Sequence, residues 1–213
     1  MPGHRLARGP AARRRPGPAA PRAGRAHRAA AHGHRPALRL PGGAIPAGAD
    51  WPTAFTAMMD ALLADADRFA VHLPVPAARL RELTGAATPA LAEVTVPVLV
   101  HFDLWDGNVL LHEGRVSALI DGERMFWGDP LAELTSLNLL GMPDDDPALL
   151  AGYGTTTFDD AAHTRMALYR CYLNLIMLIE ATPRGYGQDR HAWLDEHVAP
   201  ALLADVELLE KLR

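Results

Sequence analysis

Three short strand-like runs lie close together in the middle of the chain, between two regions of helical periodicity. Residues 97–100 form an apolar run that is typical of a buried strand. Residues 109–112 and 116–120 are two further runs of this kind, and Glu113-Gly114 between them predicts a tight hairpin turn. A single hairpin between helical regions predicts a mainly helical α+β fold.

Helical periodicity begins at Trp51, and Pro52 suits the first turn of a helix. Apolar residues recur every three or four positions from Phe55 to Leu63, which predicts a helix that ends near Val71. The further predicted helices cover residues 77–83, 131–139, 159–182 and 192–212. On the long fourth helix, a stripe is expected to face the core: Tyr169, Tyr172, Leu173, Ile176 and Ile179. Residues 144–146, three aspartates, are expected to form a solvated loop or a helix cap.

Residues 1–50 differ from the rest of the chain in composition. They consist largely of Ala, Arg, Gly and Pro, with ten arginines, no lysine and a single acid, Asp50. Because this segment has little apolar surface to offset the entropy cost of ordering, we expect it to be disordered. It could be a polyanion-binding tail, an organelle-targeting segment, or a wrongly chosen start or shifted reading frame. GC-rich codons would explain the composition, so the last interpretation is favoured, and we expect no nucleic-acid partner.

The remaining composition indicates a cytoplasmic protein. Cys171 is the only cysteine, so an internal disulfide is excluded and a reducing compartment is favoured. The longest apolar region, residues 166–181, contains Arg170, Asn174 and Glu180 and is too short for a membrane span. No apolar run follows the N-terminal arginines as it would in a secretory signal. We therefore expect neither membrane insertion nor secretion.

Polar residues follow the first strand and the hairpin. Asp103 and Asn108 share one loop, and Gly107 permits a turn just before Asn108. Asp121 follows the hairpin, so reversal of the chain can bring its carboxylate near the Asn108 amide. An amide and a carboxylate that converge suit Mg²⁺, which keeps several ligand positions for phosphate oxygens. Asp103 can then accept the proton of an attacking hydroxyl.

These segments resemble the catalytic loop and metal-binding segment of the aminoglycoside phosphotransferase and choline kinase family, distant relatives of the protein kinases. The matching elements are His101-Phe102-Asp103, Asn108, Ile120-Asp121 and Gly128-Asp129-Pro130. Their order and spacing also match the family pattern. A second set is similar to the fructosamine kinase branch and leaves the subfamily open: Asp103-Leu104-Trp105 with Gly107-Asn108.

The resemblance implies a role for each matched residue. Asp103 is the expected catalytic base, and Asn108 and Asp121 are the expected Mg²⁺ ligands that hold the cofactor, ATP. His101 is the catalytic-loop residue expected to brace the loop. Asp129 is expected to hold the loop from the second shell through backbone hydrogen bonds, and a helix-capping role for it is compatible with this.

Neighbouring charged residues are weaker candidates. Glu123 lies two residues past Asp121, where relatives often carry an acid, and is a candidate second-shell neighbour of the ion site. Asp106 is expected to be a solvated loop residue. Helices in the later part of the chain wall the acceptor pocket in relatives, so Glu180 or Arg170 could face the acceptor.

The resemblance implies an ATP- and Mg²⁺-dependent phosphotransferase that moves the γ-phosphoryl group to a hydroxyl of a small molecule. It covers residues 51–213, the C-terminal lobe of the kinase-like fold. The only lysine is Lys211, so the strand lysine and the Gly-rich flap of an N-terminal lobe are not found. We therefore expect a missing N-lobe, with weak ATP binding and slow transfer. The alternative is a pseudokinase or truncated remnant that acts as a binding module. An acidic C-terminal part would suit a cationic acceptor such as an aminoglycoside, although other hydroxyl compounds remain open.

Overall fold

The computed structural model describes residues 50–141, 145–154 and 157–213, which form a mainly helical α+β structure. The helices in this part are α1 (Trp51–Arg68), α2 (Ala77–Ala86), α3 (Thr88–Leu91), α4 (Leu131–Leu137), α5 (Pro147–Tyr153), α6 (Asp160–Glu180), α7 (Gln188–Trp193) and α8 (Ala199–Lys211). The strands are β1 (Val98–Val100), β2 (Val109–His112), β3 (Arg115–Leu119) and β4 (Phe126–Gly128). The fold class agrees with the sequence prediction. Residues 1–49, which were expected to be disordered together with Asp50, lie outside the described ranges.

Helices α1 and α6 supply the centre of the main core. The Asp50 side chain accepts a hydrogen bond from the Thr53 amide at 2.9 Å and caps α1, whose apolar stripe then turns inward. Phe55 on α1 is fully buried and lies edge-on to Tyr169 of α6, with 5.2 Å between ring centroids. The predicted stripe on α6 is confirmed, with Ile176 only partly buried and the other members buried.

Helix α8 packs along α6 and adds both apolar and polar contacts. Leu202 and Leu209 of α8 are buried in the main core. Arg170 of α6 pairs with Asp205 of α8, with 2.6 Å between Nη2 and Oδ1, and Asn174 donates to the same carboxylate at 3.1 Å. Among the described residues, no helix has the length and apolar character needed to cross a membrane.

The strands form two separate antiparallel pairs. The predicted hairpin is confirmed as β2 and β3, and both turn residues have left-handed backbone, with φ of 49° at Glu113 and 72° at Gly114. Strand β1 pairs instead with β4, a strand that the sequence did not predict. A methyl group at Gly128 of β4 would lie 2.3 Å from the Trp51 ring, so the close packing of α1 on this strand requires glycine.

The helix boundaries after β4 differ from the predicted ones. Helix α4 ends at Leu137, two residues earlier than expected. Helix α5 was not predicted, although Asp146 caps it by accepting from the Leu149 amide at 2.9 Å. The helix predicted over residues 192–212 is divided into three segments. A π-helical turn at Leu194–Val198 joins α7 to α8. Of the three aspartates in residues 144–146, Asp144 lies outside the described residues.

Candidate active site

The loop after β1 is held in an unusual backbone conformation by one buried carboxylate. Phe102 has φ of 60°, a left-handed value that is rare for an aromatic residue. Its ring is 1% exposed and packs against Phe126 of β4, with 5.1 Å between centroids. The Glu133 carboxylate accepts from the His101 amide at 2.6 Å and from the Phe102 amide at 3.2 Å. These contacts offset the strain that turns the chain toward Asp103.

Glu133 belongs to the first turn of α4 and is completely buried. Burial raises the pKa of Glu133, while hydrogen bonds from the His101 amide and the Ser136 hydroxyl oppose that rise. Ser136 also accepts from the Leu104 amide at 3.2 Å. Helix α4 therefore fixes three backbone amides of the loop that carries the predicted base.

Asp129 was predicted to hold the loop through backbone hydrogen bonds. This prediction is wrong, because Glu133 accepts the hydrogen bonds from the loop amides. Asp129 instead accepts from the amide of Leu131, the first residue of α4, at 2.9 Å. Its other oxygen accepts from the Tyr169 hydroxyl at 2.8 Å and lies 3.0 Å from Nε of Arg165. Burial raises the pKa of Asp129, and it raises that of Tyr169 well above its ordinary value. Asp129 thus joins the strand pair β1–β4 to α6 rather than to the loop.

The His101 side chain links the loop to the end of the hairpin. Its Nε2 lies 2.9 Å from the Ile120 carbonyl oxygen. Because a carbonyl can only accept, the ring must carry a proton on Nε2. The Ile120 amide in turn donates to the Asn108 carbonyl at 3.0 Å, so the backbone directly before Asp121 lies against that of Asn108. This geometry suits a bracing role, and the role itself stays a prediction.

Asn108 is oriented by the predicted base. Its amide nitrogen donates to the Asp103 carbonyl oxygen at 2.8 Å and to the Asp103 carboxylate at 3.2 Å. The amide oxygen therefore remains as the atom that could face a cation. Asp121 is exposed and has left-handed backbone, with φ of 62°, a value that aspartate tolerates better than most residues.

The oxygen donors of Asn108 and Asp121 fit Mg²⁺, which accepts few protein ligands and prefers hard oxygen. In the described part of the chain, no three His, Cys, Asp or Glu side chains gather into a metal site. A site of one amide and one carboxylate is consistent with an ion that is shared with phosphate. The role of both residues as ligands stays a prediction.

An arginine that the sequence did not predict here contacts the predicted base. Arg124 donates from Nη1 to Asp103 at 3.2 Å and from Nη2 to Glu180 at 2.7 Å. Glu123 contacts Arg184 at 2.6 Å, and this hydrogen bond lowers the pKa of Glu123. The role of Glu123 as a neighbour of the ion site stays a prediction.

The two candidate acceptor-facing residues lie in different surroundings. Glu180 lies close to Asp103 through their shared partner, Arg124. Arg170 is instead buried against Asp205, in the contact between α6 and α8. Asp106 is exposed in the short 3₁₀ turn Asp106–Asn108, as expected of a solvated residue.

The mainly helical lobe carries a loop with Asp103 and Asn108, followed by a hairpin that ends just before Asp121. The chain matches the model of the phosphotransferase enzyme family (APH) over residues 1–169. It therefore belongs to that family. The matched range includes the Arg-rich segment and ends within α6. No curated protein matches the chain significantly.

Two solved structures are similar to this chain to different extents. The crystal structure of a choline/ethanolamine kinase family protein from Mesorhizobium loti is 23% identical, with a TM-score of 0.61 over 92% of this chain and 68% of that chain. A thermostable mutant of aminoglycoside phosphotransferase APH(4)-Ia, in ternary complex with AMP-PNP and hygromycin B, is 22% identical with a TM-score of 0.44. This chain spans 52% of that one, and 70% of this chain is covered. The similarity to the kinase family protein shows a common fold.

The residues that sequence reasoning missed are Glu133, Arg124 and Ser136. Glu133 lies in the first turn of a helix, where an acid is commonly expected for its interaction with the helix dipole. No periodicity separates such a surface acid from one that is buried. Arg124 lies three residues after Asp121, and that short spacing from a predicted metal ligand was the only available signal.

Proposed function

We propose that this chain supplies the catalytic base and the metal ligands of an ATP- and Mg²⁺-dependent phosphotransferase. The reaction would move the γ-phosphoryl group of ATP to a hydroxyl of a small molecule. One observation carries the proposal: Asn108 bonds to Asp103 through its amide nitrogen, while its carbonyl accepts from the Ile120 amide, one residue before Asp121. Membership of a phosphotransferase family supports the same chemistry.

Each residue has a definite task in this proposal. Asp103 orients the acceptor hydroxyl and takes its proton as the oxygen attacks phosphorus. Asn108 and Arg124 fix the Asp103 carboxylate from two sides, which limits its motion before the reaction. Asn108 and Asp121 would hold Mg²⁺, which neutralises charge on the transferred phosphate when it is bound.

Nucleotide affinity is expected to be low for the chain by itself. The only lysine, Lys211, is the last residue of α8 and far along the chain from the proposed site. The hydrogen bonds described for the Asp103 and Asn108 side chains involve no lysine. Contacts of that kind are typically worth several kcal/mol in the transition state, about 3 kcal/mol for a single donor.

Transfer of labelled γ-phosphate to a panel of hydroxyl compounds tests the base. Asp103→Asn should reduce the transfer rate by roughly 10²–10⁴-fold, as expected for the loss of a general base. Asp106→Asn is the matched control, because Asp106 lies on the same loop but is exposed, and it should retain the wild-type rate. Equal rates for Asp103→Asn and wild type would exclude Asp103 as the base.

Binding of Mn²⁺, followed by electron paramagnetic resonance, tests the metal ligands without requiring turnover. Asn108→Ala and Asp121→Asn should each weaken binding in the presence of AMP-PNP by about tenfold or more, since each removes one of few protein ligands. Asp106→Asn should have no effect. Nucleotide binding that is independent of Mn²⁺, without any transfer, would instead support the alternative of a binding module.

A further inference from the structure

Five charged side chains form one continuous series of ion pairs beside the proposed base, in the order Asp103, Arg124, Glu180, Arg184 and Glu123. The first two contacts join Arg124 to Asp103 at 3.2 Å and to Glu180 at 2.7 Å. The next two join Arg184 to the second Glu180 oxygen at 3.2 Å and to Glu123 at 2.6 Å. Acids and bases alternate along the whole series.

The two ends of the series differ in exposure. The side chains of Asp103, Arg124 and Glu180 are 21%, 16% and 18% exposed, whereas those of Arg184 and Glu123 are 45% and 52% exposed. Interactions between partly buried charges are screened less by water and salt than interactions between exposed charges. The two contacts of Arg124 should therefore be the strongest in the series, and the exposed pair of Arg184 and Glu123 should be weaker.

Glu180 connects this series to a helix that is buried in the core. It is the last residue of α6, whose body is buried in the core. Arg124 lies instead in the short 3₁₀ turn Gly122–Arg124, in which none of the residues is buried. Without Glu180, Arg124 would keep only its longer contact to Asp103. The position of the guanidinium is thus set by the helix, not by the turn that carries it.

Arg184 holds Glu180 from the other side. Its amide donates to the Glu180 carbonyl at 3.0 Å, and Gly185, with φ of 64°, turns the chain immediately afterwards. By contacting Glu123 as well, Arg184 ties the end of α6 to the segment that follows Asp121.

We propose that Glu180 is a positioning residue of the transfer reaction, which holds Arg124 against Asp103, and that Arg184 secures Glu180 in this task. The proposal rests on the proposed function for its catalytic consequence. The physical link between Glu180 and Arg124 can be measured independently of turnover.

Nuclear magnetic resonance of the arginine guanidinium groups tests the link directly. In the full chain, the Arg124 N–H signals should be resolved and slow to exchange, and Arg124→Lys identifies them by their loss. Glu180→Gln should speed their hydrogen exchange by about tenfold or more, because the 2.7 Å charged partner is removed. Glu207→Gln, an exposed glutamate on α8, is the control and should leave these signals unchanged.

Further variants separate positioning from general loss of structure. Arg184→Ala should speed the exchange of the Arg124 signals by about threefold, and Arg184→Lys should restore most of the protection, since Lys keeps a charge near Glu180. If Glu180→Gln fails to fold, Glu180→Asp keeps the charge but shortens the reach and should give an intermediate exchange rate. Unchanged Arg124 exchange in a folded Glu180 variant would overturn the proposal.

The kinetic consequence is a split between kcat and KM. Glu180→Gln should lower kcat by about tenfold while the KM for ATP changes less than about twofold, since only the geometry of the base is disturbed. A raised KM for ATP with unchanged kcat would overturn the positioning role. If Asp103→Asn retains activity while Glu180→Gln still frees Arg124, the proposed function fails and the structural link stands.

Discussion

The helical body and the loop-bearing segment of this protein are stabilised by different kinds of contact. In the body, α1 and α6 meet through aromatic and aliphatic side chains such as Phe55 and Tyr169. In the segment from β1 to α4, single buried polar groups such as Glu133 fix the backbone. Apolar packing is not directional, whereas a hydrogen bond is specific to two atoms. The body should therefore determine stability, and the segment should determine the geometry of the site.

The hairpin shows how little apolar burial the segment has. Leu110, Leu111 and Ile120 are among the exposed large hydrophobic side chains of the described residues. Strand β2 has no fully buried residue, and neither does β3. The position of the hairpin therefore depends on backbone and polar contacts, such as that between His101 and the Ile120 carbonyl.

Removal of a core ring should have the largest effect on stability. Phe55→Ala is expected to lower the free energy of unfolding by about 3–5 kcal/mol, because it leaves a cavity between Tyr169 and Tyr172. Urea denaturation measures this loss. Leu203→Ala on exposed α8 surface is the control and should change it by less than about 0.5 kcal/mol. A loss below about 1 kcal/mol for Phe55→Ala would contradict the central place given to α1.

Loss of the buried carboxylate should have a smaller effect that is concentrated in the loop. Glu133→Ala is expected to cost about 2–3 kcal/mol, because the amides of His101 and Phe102 lose their acceptor inside the protein. Hydrogen exchange distinguishes this variant from Phe55→Ala. Hydrogen exchange should rise most at the amides of residues 101 and 102 in Glu133→Ala, and throughout the core in Phe55→Ala.

Glu207→Ala is the control for the carboxylate variant, since Glu207 is exposed on α8. It should leave both the stability and the exchange of the loop amides unchanged. Uniform acceleration of exchange across the core in Glu133→Ala would show that Glu133 supports the whole fold, and the contrast between the two regions would then be lost.

The fold was predictable from sequence where the signal is local. Apolar periodicity predicted the buried stripe on α1, and turn-forming residues predicted the hairpin turn at Glu113-Gly114. Both signals extend over only a few residues. Strand β4 was missed because it exists only through its pairing with β1, more than twenty residues earlier in the chain. The short helix α5 was missed although Pro147 and a capping aspartate start it.

The candidate site was predictable in its principal residues but not in their supports. Asp103, Asn108 and Asp121 follow from spacing around a strand and a hairpin, and hydrogen bonds join the first two in the structure. Glu133 and Glu180 are ordinary helical glutamates by sequence. Their partners lie 32 residues away in the case of the His101 amide and 56 in the case of Arg124. No local pattern specifies such long-range pairs.

Buried and exposed carboxylates should respond to pH with opposite signs, which is the smallest expected effect. Burial raises the pKa of Asp129 from its ordinary value of 3.8. The folded protein then binds that proton more tightly than the unfolded chain. The contribution of Asp129 to the free energy of unfolding therefore falls as pH rises from 3.8 through the raised pKa.

Glu82 on the surface of α2 should behave in the opposite way. Hydrogen bonds from Arg79 and then Arg213 lower the pKa of Glu82 below its ordinary value of 4.5. Its contribution is present above pH 4.5 and is lost as pH falls through the lowered pKa.

Urea denaturation of Asp129→Asn and Glu82→Gln over a series of pH values tests both signs. The stability difference between wild type and Asp129→Asn should shrink as pH rises through the window above 3.8, whatever the overall loss from removing the partner of Arg165. The stability difference between wild type and Glu82→Gln should grow as pH rises through the window that ends near 4.5. High salt should reduce this difference, because Glu82 is exposed. If the stability difference changes with pH in the same direction for both variants, the polar contacts of Asp129 outweigh the effect of its burial. The site segment would then resemble the protein surface rather than its core.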